Sequence, residues 1–270
     1  MTVLVVASRH DVAGQNIAEQ LVRAQQFKPV SGKKTLLRHE IEDVYLLHVD
    51  SDSVYTNELN ISQEIECAIF ASRHRSDLEE PTLTVHWTGN STSHADFGGK
   101  PKTLSLTSPK RLRAALLALD EAREAHKLNY SVTLEATHHG PTELGVPTLF
   151  VEVGSTEREW KDTLAAQAAG EAIWKAATAP LPGKTAVGFG GGHYCNKQCV
   201  AVRSGGYAFS HILSKYFFEE YDENIVSMAF ERTLGEKCTT AVIDWKGIRG
   251  PDRRKLVEYL KGKNIEIVRV

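Results

Sequence analysis

The hydrophobic positions of the chain fall into short runs that alternate with amphipathic stretches. Val3–Ser8 is a β-branched run and predicts a buried strand. Asp11 follows as a candidate cap for a helix with Ile17, Leu21 and Ala24 along one face. Val44–Val49, Ala68–Ser72 and Leu83–Trp87 read as further strands, the last rich in β-forming residues. Ser108-Pro109 opens a helix, a cap followed by proline at the first helical position, with Leu112, Ala115, Leu116 and Leu119 inward. Strands over Ser131–Ala136 and Thr148–Val153 come next. Thr156 and Glu159 have capping-box spacing ahead of a long alanine-rich helix to Ala177. Thr185–Phe189 is a strand that runs into Gly190-Gly191-Gly192. Asn224–Leu234 predicts a helix and Thr240–Trp245 a strand. Pro251–Gly262 predicts a helix with Leu256, Val257 and Leu260 inward, and Ile265–Val270 a closing strand.

This alternation predicts an α/β fold, a single layered domain over residues 1–270 with a mixed, largely parallel central sheet flanked by helices. The Gly-, Ser- and Thr-rich stretch from Gly89 to Thr107 is the candidate for a long functional loop. At 270 residues the chain can bury a core without disulfides or a structural metal. Its N-terminal apolar run is too short for a signal peptide, and no apolar stretch reaches the roughly 18 residues of a transmembrane helix. Cys67, Cys195, Cys199 and Cys238 form neither a CxxC pair nor an even framework, so free thiols in a reducing, cytoplasmic compartment are expected.

Lys and Arg number 32 against 34 Asp and Glu, which excludes a global electrostatic footprint for nucleic acid. A polyanionic partner needs a local patch. Residues 245–270 carry eight basic side chains (Lys246, Arg249, Arg253, Arg254, Lys255, Lys261, Lys263 and Arg269) against three acidic ones. Lys100, Lys102, Lys110, Arg111 and Arg113 form a second basic group.

The placement of the 11 histidines points to chemistry. His10, His74, His86, the pair His138 and His139, and His193 each lie at or just past the carboxyl end of a predicted strand. In an open parallel sheet these ends share one edge, where ligands bind. Glu135-Ala136-Thr137-His138-His139-Gly140-Pro141 is the densest segment. Adjacent histidines in an extended segment point opposite ways, so one is expected to face the site while the other packs behind it. Imidazole suits general-base or metal work near neutral pH, and a nearby carboxylate can orient it. Gly190-Gly191-Gly192 lets main-chain N–H groups approach an oxyanion or phosphate, but matches neither a dinucleotide fingerprint nor a P-loop. His193, Cys195 and Cys199 do not have zinc-finger spacing. Ser72-Arg73-His74-Arg75 can bind a phosphate. A phosphorylase- or nucleosidase-like enzyme with a phosphate-holding glycine loop also fits these residues, and so does an RNA-binding module, although the latter has no use for the histidines.

Taken in order, Ser72-Arg73-His74, Leu83–His86, Glu135–Pro141, Glu152–Glu157 with Trp160, and Gly190–Tyr194 resemble the archaeal and plant type of D-aminoacyl-tRNA deacylase over most of the chain. The resemblance implies a fold like that of peptidyl-tRNA hydrolase and the nucleoside phosphorylases. It implies hydrolysis of the ester joining a D-amino acid to the 3′ end of tRNA, which clears mischarged D-amino acids, and a dependence on zinc. The chain departs from the family at Cys195-Asn196-Lys197, where a small residue, a proline and a basic residue are usual, and at Ser210-His211, where Gly-His is typical. On this reading His138, His139 and His193 serve as base or zinc ligands, and Glu135 orients them or joins the ligands. The N–H groups of Gly190, Gly191 and Gly192 form the oxyanion hole. Ser72, Arg73, His74, His86 and Tyr194 line the pocket or hold the terminal adenosine. The expected partner is tRNA, with no membrane and no obligate protein partner.

Overall fold

The computed structural model describes residues 2–270. In chain order it contains β1 (Thr2–Ser8), α1 (Val12–Ala24), β2 (Phe27–Pro29), β3 (Leu36–His39), β4 (Val44–Val49), β5 (Ile65–Arg73), β6 (Thr82–Trp87), β7 (Gly89–Asn90), β8 (Thr103–Leu104) and α2 (Pro109–Ala125). There follow β9 (Ser131–Leu134), β10 (Thr148–Gly154), α3 (Glu157–Trp160), α4 (Thr163–Thr178), β11 (Lys184–Phe189), α5 (Asn196–Gly205), β12 (Tyr207–Leu213), α6 (Glu223–Glu231), β13 (Thr240–Ile243), α7 (Gly250–Gly262) and β14 (Glu266–Arg269).

Eight strands form a mixed sheet in the order β2-β3-β4-β1-β5-β10-β6-β9. Its centre, from β4 to β10, is parallel, while β6 runs antiparallel to β10. A second sheet of four parallel strands, β12-β11-β13-β14, was not separable from the first in the sequence, because strand periodicity does not say which strands pair.

Helices α1, α2 and α4 lie on one face of the large sheet. Ile17, Leu21, Leu112, Leu116, Leu119 and Ile173 pack there with Val5, Ile69, Val85 and Val151 in one buried cluster. Full burial of each such side chain stabilises by roughly 1.5–3 kcal/mol. The same cluster reaches Ala186, Phe209 and Ile212 of the second sheet. The opposite face buries Leu4, Val6, Phe70 and Phe150, and it is covered by irregular segments carrying Leu59, Ile61, Leu144 and Val146. A face covered by loops rather than helices leaves room for a site.

Several expected elements differ in detail. The predicted helix from Thr156 to Ala177 is two helices. Glu159 accepts the Thr156 N–H at 3.1 Å as its capping-box spacing foretold. The chain then turns at Asp162, which caps α4 by accepting from Leu164 and Ala165. Ala24 is exposed at the last position of α1, while Ile17 and Leu21 are buried. Helix α5 and strand β12 carry no clean apolar period, because each buries polar side chains: Gln198 in the helix, Ser210 and His211 in the strand.

Candidate active site

The site is built on the loop-covered face of the large sheet. Phe150 and Glu152 of β10 stand opposite His86 and Thr84 of antiparallel β6. Directly opposed residues share a face, so His86 lies in an aromatic row, 5.4 Å from Phe150, which stacks on Phe70 at 4.7 Å. This corrects the expectation of a shared carboxyl edge. Strand β6 runs the other way, and His86 reaches the site across the sheet face instead.

Beyond β9 the chain leaves the sheet and pairs with the segment after the glycine loop. Ala136 N–H donates to the His193 carbonyl at 2.8 Å, and Cys195 N–H donates to the Leu134 carbonyl at 2.9 Å. This clip seats His193 and Tyr194 beside Glu135. The His138-His139 segment is held from both sides: Gly89 N–H donates to the His139 carbonyl at 2.8 Å, and Thr137 Oγ1 accepts the Ile212 N–H at 3.1 Å.

Both histidines of the pair enter the site, their rings 4.3 Å apart. The expectation that one would pack behind the other assumed an extended backbone. His139 instead has φ 46°, in the left-handed region, which turns both rings to one side. His138 lies 4.3 Å from His86 and 4.6 Å from His193, ring centre to ring centre.

Glu135 is the hub, with a fully buried side chain. Its Oε1 is 2.9 Å from His74 Nδ1, and its Oε2 is 2.9 Å from His193 Nε2 and 3.4 Å from His138 Nε2. Glu152 Oε2 is 3.5 Å from His74 Nδ1 and 3.7 Å from His86 Nε2. His74 Nε2 lies 2.8 Å from the Tyr194 hydroxyl, and its main-chain carbonyl accepts from the Trp160 indole at 2.9 Å.

The charges follow from this packing. Burial disfavours ionising Glu135, but His193 and His74 outweigh it and hold the carboxyl well below its usual range. Glu152 is likewise held at about 2, burial being overcome by His74 and His86. Burial pushes His74 down, yet Glu135 and Glu152 raise it to about 11. His138 and His139 are pushed down by burial and by neighbouring imidazoles, His139 to about 4, so both rings are neutral.

The donors fit a zinc ion. His86, His138 and His139 each place Nδ1 against a main-chain carbonyl, of Trp87 (3.2 Å), Ala136 (2.8 Å) and Gly140 (2.6 Å). A carbonyl only accepts, so the neutral rings of His138 and His139 carry their proton on Nδ1 and leave the Nε2 lone pair for a metal. Burial pushes His86 down as well, but Glu152 beside its Nε2 outweighs burial and raises it. One ring nitrogen from each of the three lies within 4.8 Å of the others, and the same holds for donors of His74, Glu135 and His193. His86 Nε2 and both Glu135 oxygens are buried without an aligned hydrogen-bond partner, which a cation would satisfy. Among the described residues, no such set includes a cysteine. Cys195 and Cys199 are buried thiols whose ionisation burial opposes.

Other residues expected at the site are engaged elsewhere. Ser72 is buried, and its hydroxyl donates to Asp11 at 3.1 Å, the carboxylate that also caps α1. Arg73 is exposed, 5.7 Å from the Trp160 ring, and donates to the His10 carbonyl. His10 itself faces Asp52. Gly190 donates its N–H to the Leu213 carbonyl at 2.8 Å, so it is not available to an oxyanion, and the Gly191 carbonyl accepts from Lys215. Gly192 leads directly into His193. Within the second basic group, Arg111 is buried, paired with Glu66 and donating to the Ala176 and Ala177 carbonyls that end α4. Arg113 bonds the Pro182 and Val202 carbonyls.

Glu152 and Phe150 were not among the expected site residues. The signal for Glu152 was a carboxylate in the middle of an apolar strand, Leu149-Phe150-Val151-Glu152-Val153, where a buried charge requires partners.

Residues 61–268 match the family model described as D-aminoacyl-tRNA deacylase. The D-aminoacyl-tRNA deacylase of Methanosarcina acetivorans is 34% identical, the match covering 99% of this chain and 92% of that one. That of Thermococcus onnurineus is 35% identical over 98% and 99% of the two chains. A crystal structure of a conserved protein of unknown function superposes with a TM-score of 0.90 at 32% identity, covering 99% of this chain and 95% of the other. Agreement along nearly the whole length, in sequence and in fold, places this chain in the D-aminoacyl-tRNA deacylase family.

Proposed function

We propose that the Glu135-centred cluster is where this hydrolase cleaves the ester of D-aminoacyl-tRNA, releasing the D-amino acid and tRNA. The observation that carries the reading is one buried carboxylate within 3.4 Å of nitrogens of three histidines delivered by three segments. Ester hydrolysis needs a group that takes a proton from water and returns it to the leaving oxygen. His193 suits that task. Its side chain is 44% exposed, so it meets solvent, and Glu135 against its Nε2 leaves Nδ1 to accept the proton. Water then adds to the carbonyl carbon. Collapse breaks the bond to the ribose oxygen, which takes the proton back from His193.

His86, His138 and His139 would hold the zinc that the family resemblance implies. The rings of His138 and His139 are already in the neutral form a metal requires, and His86 would give up the proton that Glu152 favours on it. When bound, zinc supplies Lewis-acid polarisation at this point. His74 and Tyr194 position Glu135 from behind. Gly191 and Gly192 remain as candidate oxyanion donors beside His193. Both enantiomers carry the same ester, so discrimination rests on the shape of the pocket around these groups.

Deacylation of D-Tyr-tRNA against L-Tyr-tRNA, with and without chelator, tests the reading. It expects release from the D substrate only, lost on chelation and restored by zinc. Full activity after exhaustive chelation would remove the metal from the account, and equal release from both substrates would remove the chiral function.

A further inference from the structure

We propose that Tyr55 and Phe97 form a stacking platform for a nucleobase at the acceptor end of the substrate tRNA. The inference rests on the deacylase reading of the neighbouring site. Both side chains are large and apolar, yet Tyr55 is 51% and Phe97 69% exposed. They lie on two segments that cross at the turn following His139.

The crossing is tight and made by glycines. A Cβ on Gly98 would run into the Val54 carbonyl and come within 3.1 Å of the Tyr55 ring. A Cβ on Gly140 would meet Gly98 and Gly99, and lie 2.7 Å from the same Val54 carbonyl. The Gly140 N–H donates to the Phe97 carbonyl at 2.9 Å, and the Tyr55 hydroxyl donates to the Asp96 carbonyl at 3.2 Å. Asn90 and Thr142 pin the remainder, through Asn90 Nδ2 to the Gly98 carbonyl (2.8 Å) and Lys100 N–H to Thr142 Oγ1 (2.9 Å). The two aromatics are therefore carried on a fixed frame that is bonded to the residue after a site histidine.

Single exposed apolar residues are common and carry no meaning. Two aromatic side chains held on one frame, beside a site that must admit a single-stranded 3′ end, match the way proteins bind unpaired bases. Such bases stack face-on against aromatic rings.

The test uses the full chain and a tRNA whose 3′-terminal adenine is replaced by 2-aminopurine, a base whose fluorescence is quenched by stacking. Wild-type protein is expected to quench it on binding. The Tyr55→Ala/Phe97→Ala double variant is expected to lose the quenching and to bind about tenfold or more weakly. On D-aminoacyl-tRNA its kcat/KM should fall through KM. Tyr55→Phe/Phe97→Tyr should restore both readouts. Quenching retained by the alanine variant, or an unchanged KM, would overturn the platform. Equal losses on tRNA and on a free D-amino acid ester would also overturn it, because the rings would then act on the chemistry. Quenching is read without turnover, so a wild type that quenches but releases no D-amino acid would strike the deacylase reading alone.

Discussion

Three main-chain carbonyls decide how the imidazoles of this site behave. They bind Nδ1 of His86, His138 and His139, and one ring nitrogen from each of these three lies within 4.8 Å of the others. Alanine at His86 or His139 is therefore expected to lower bound zinc well below that of the wild type, measured by elemental analysis of the folded protein. Wild-type zinc content in both variants would contradict the proposed ligands. His211 shows a different use of a buried ring. Its Nε2 donates to the Ser105 carbonyl at 3.0 Å, and its Nδ1 accepts from Thr137 at 3.1 Å. Burial lowers its pKa to about 4. The unfolded chain takes up this proton near pH 6.5 and the folded chain does not, so stability is complete above that pH and falls as the pH drops toward 4. Between pH 7.5 and 5 this ring alone should cost about 2 kcal/mol, seen as a lower urea midpoint. His211→Asn should flatten that part of the slope.

At the scale of elements, the site depends on close crossings. Gly98 has φ 77° and lies against the Val54 carbonyl. Gly98→Ala combines backbone strain with a clash and is expected to cost about 1–3 kcal/mol, read from urea unfolding. Because Gly140 leans on the same crossing, the variant should also deacylate more slowly. A variant as stable and active as wild type would show that the three segments move independently. Most elements were legible in the sequence because their apolar positions repeat at a strand or helix period: β1, β10, α2 and α7 begin or end within two residues of expectation. The dense polar segments announced Glu135, His138, His139 and His193 as neighbours. What remained hidden depends on three-dimensional pairing. The antiparallel course of β6 moves His86 from an edge to a face. The left-handed His139 brings in a second ring. The Asp11 carboxylate, 61 residues away in sequence, takes Ser72 out of the site. None of these leaves a trace in local periodicity.

Across the whole molecule, the site lies where the two sheets meet, with Glu135 at the end of the large sheet and His193 at the end of β11 in the small one. No helix among the described residues is long and apolar enough to cross a membrane. Of the two basic groups, the one at and before α2 is engaged within the chain, its lysines paired with surface carboxylates and its arginines with Glu66 and main-chain carbonyls. This leaves α7 and its flanks as the candidate surface for the tRNA body. There Arg253 and Arg269 clamp Trp245, with guanidinium carbons 4.6 and 3.8 Å from its ring, while Arg254 and Lys255 are exposed. Charge reversal at Arg254 and Lys255 should weaken tRNA binding and reduce the slope of log affinity against log salt by about 0.7–0.9 for each phosphate that is no longer neutralised. An unchanged slope would place the tRNA body elsewhere.

Glu135 is the hub of the proposed catalytic cluster. Glu135→Gln keeps the size of the side chain and removes the charge that orients His193. The direct measurement is the single-turnover rate of D-tyrosine release from D-Tyr-tRNA by this variant, with folding verified by circular dichroism. A fall of about 10²–10⁴-fold is expected, the usual worth of an oriented general base. A rate within about twofold of wild type, with the preference for the D enantiomer intact, would contradict a catalytic role for Glu135.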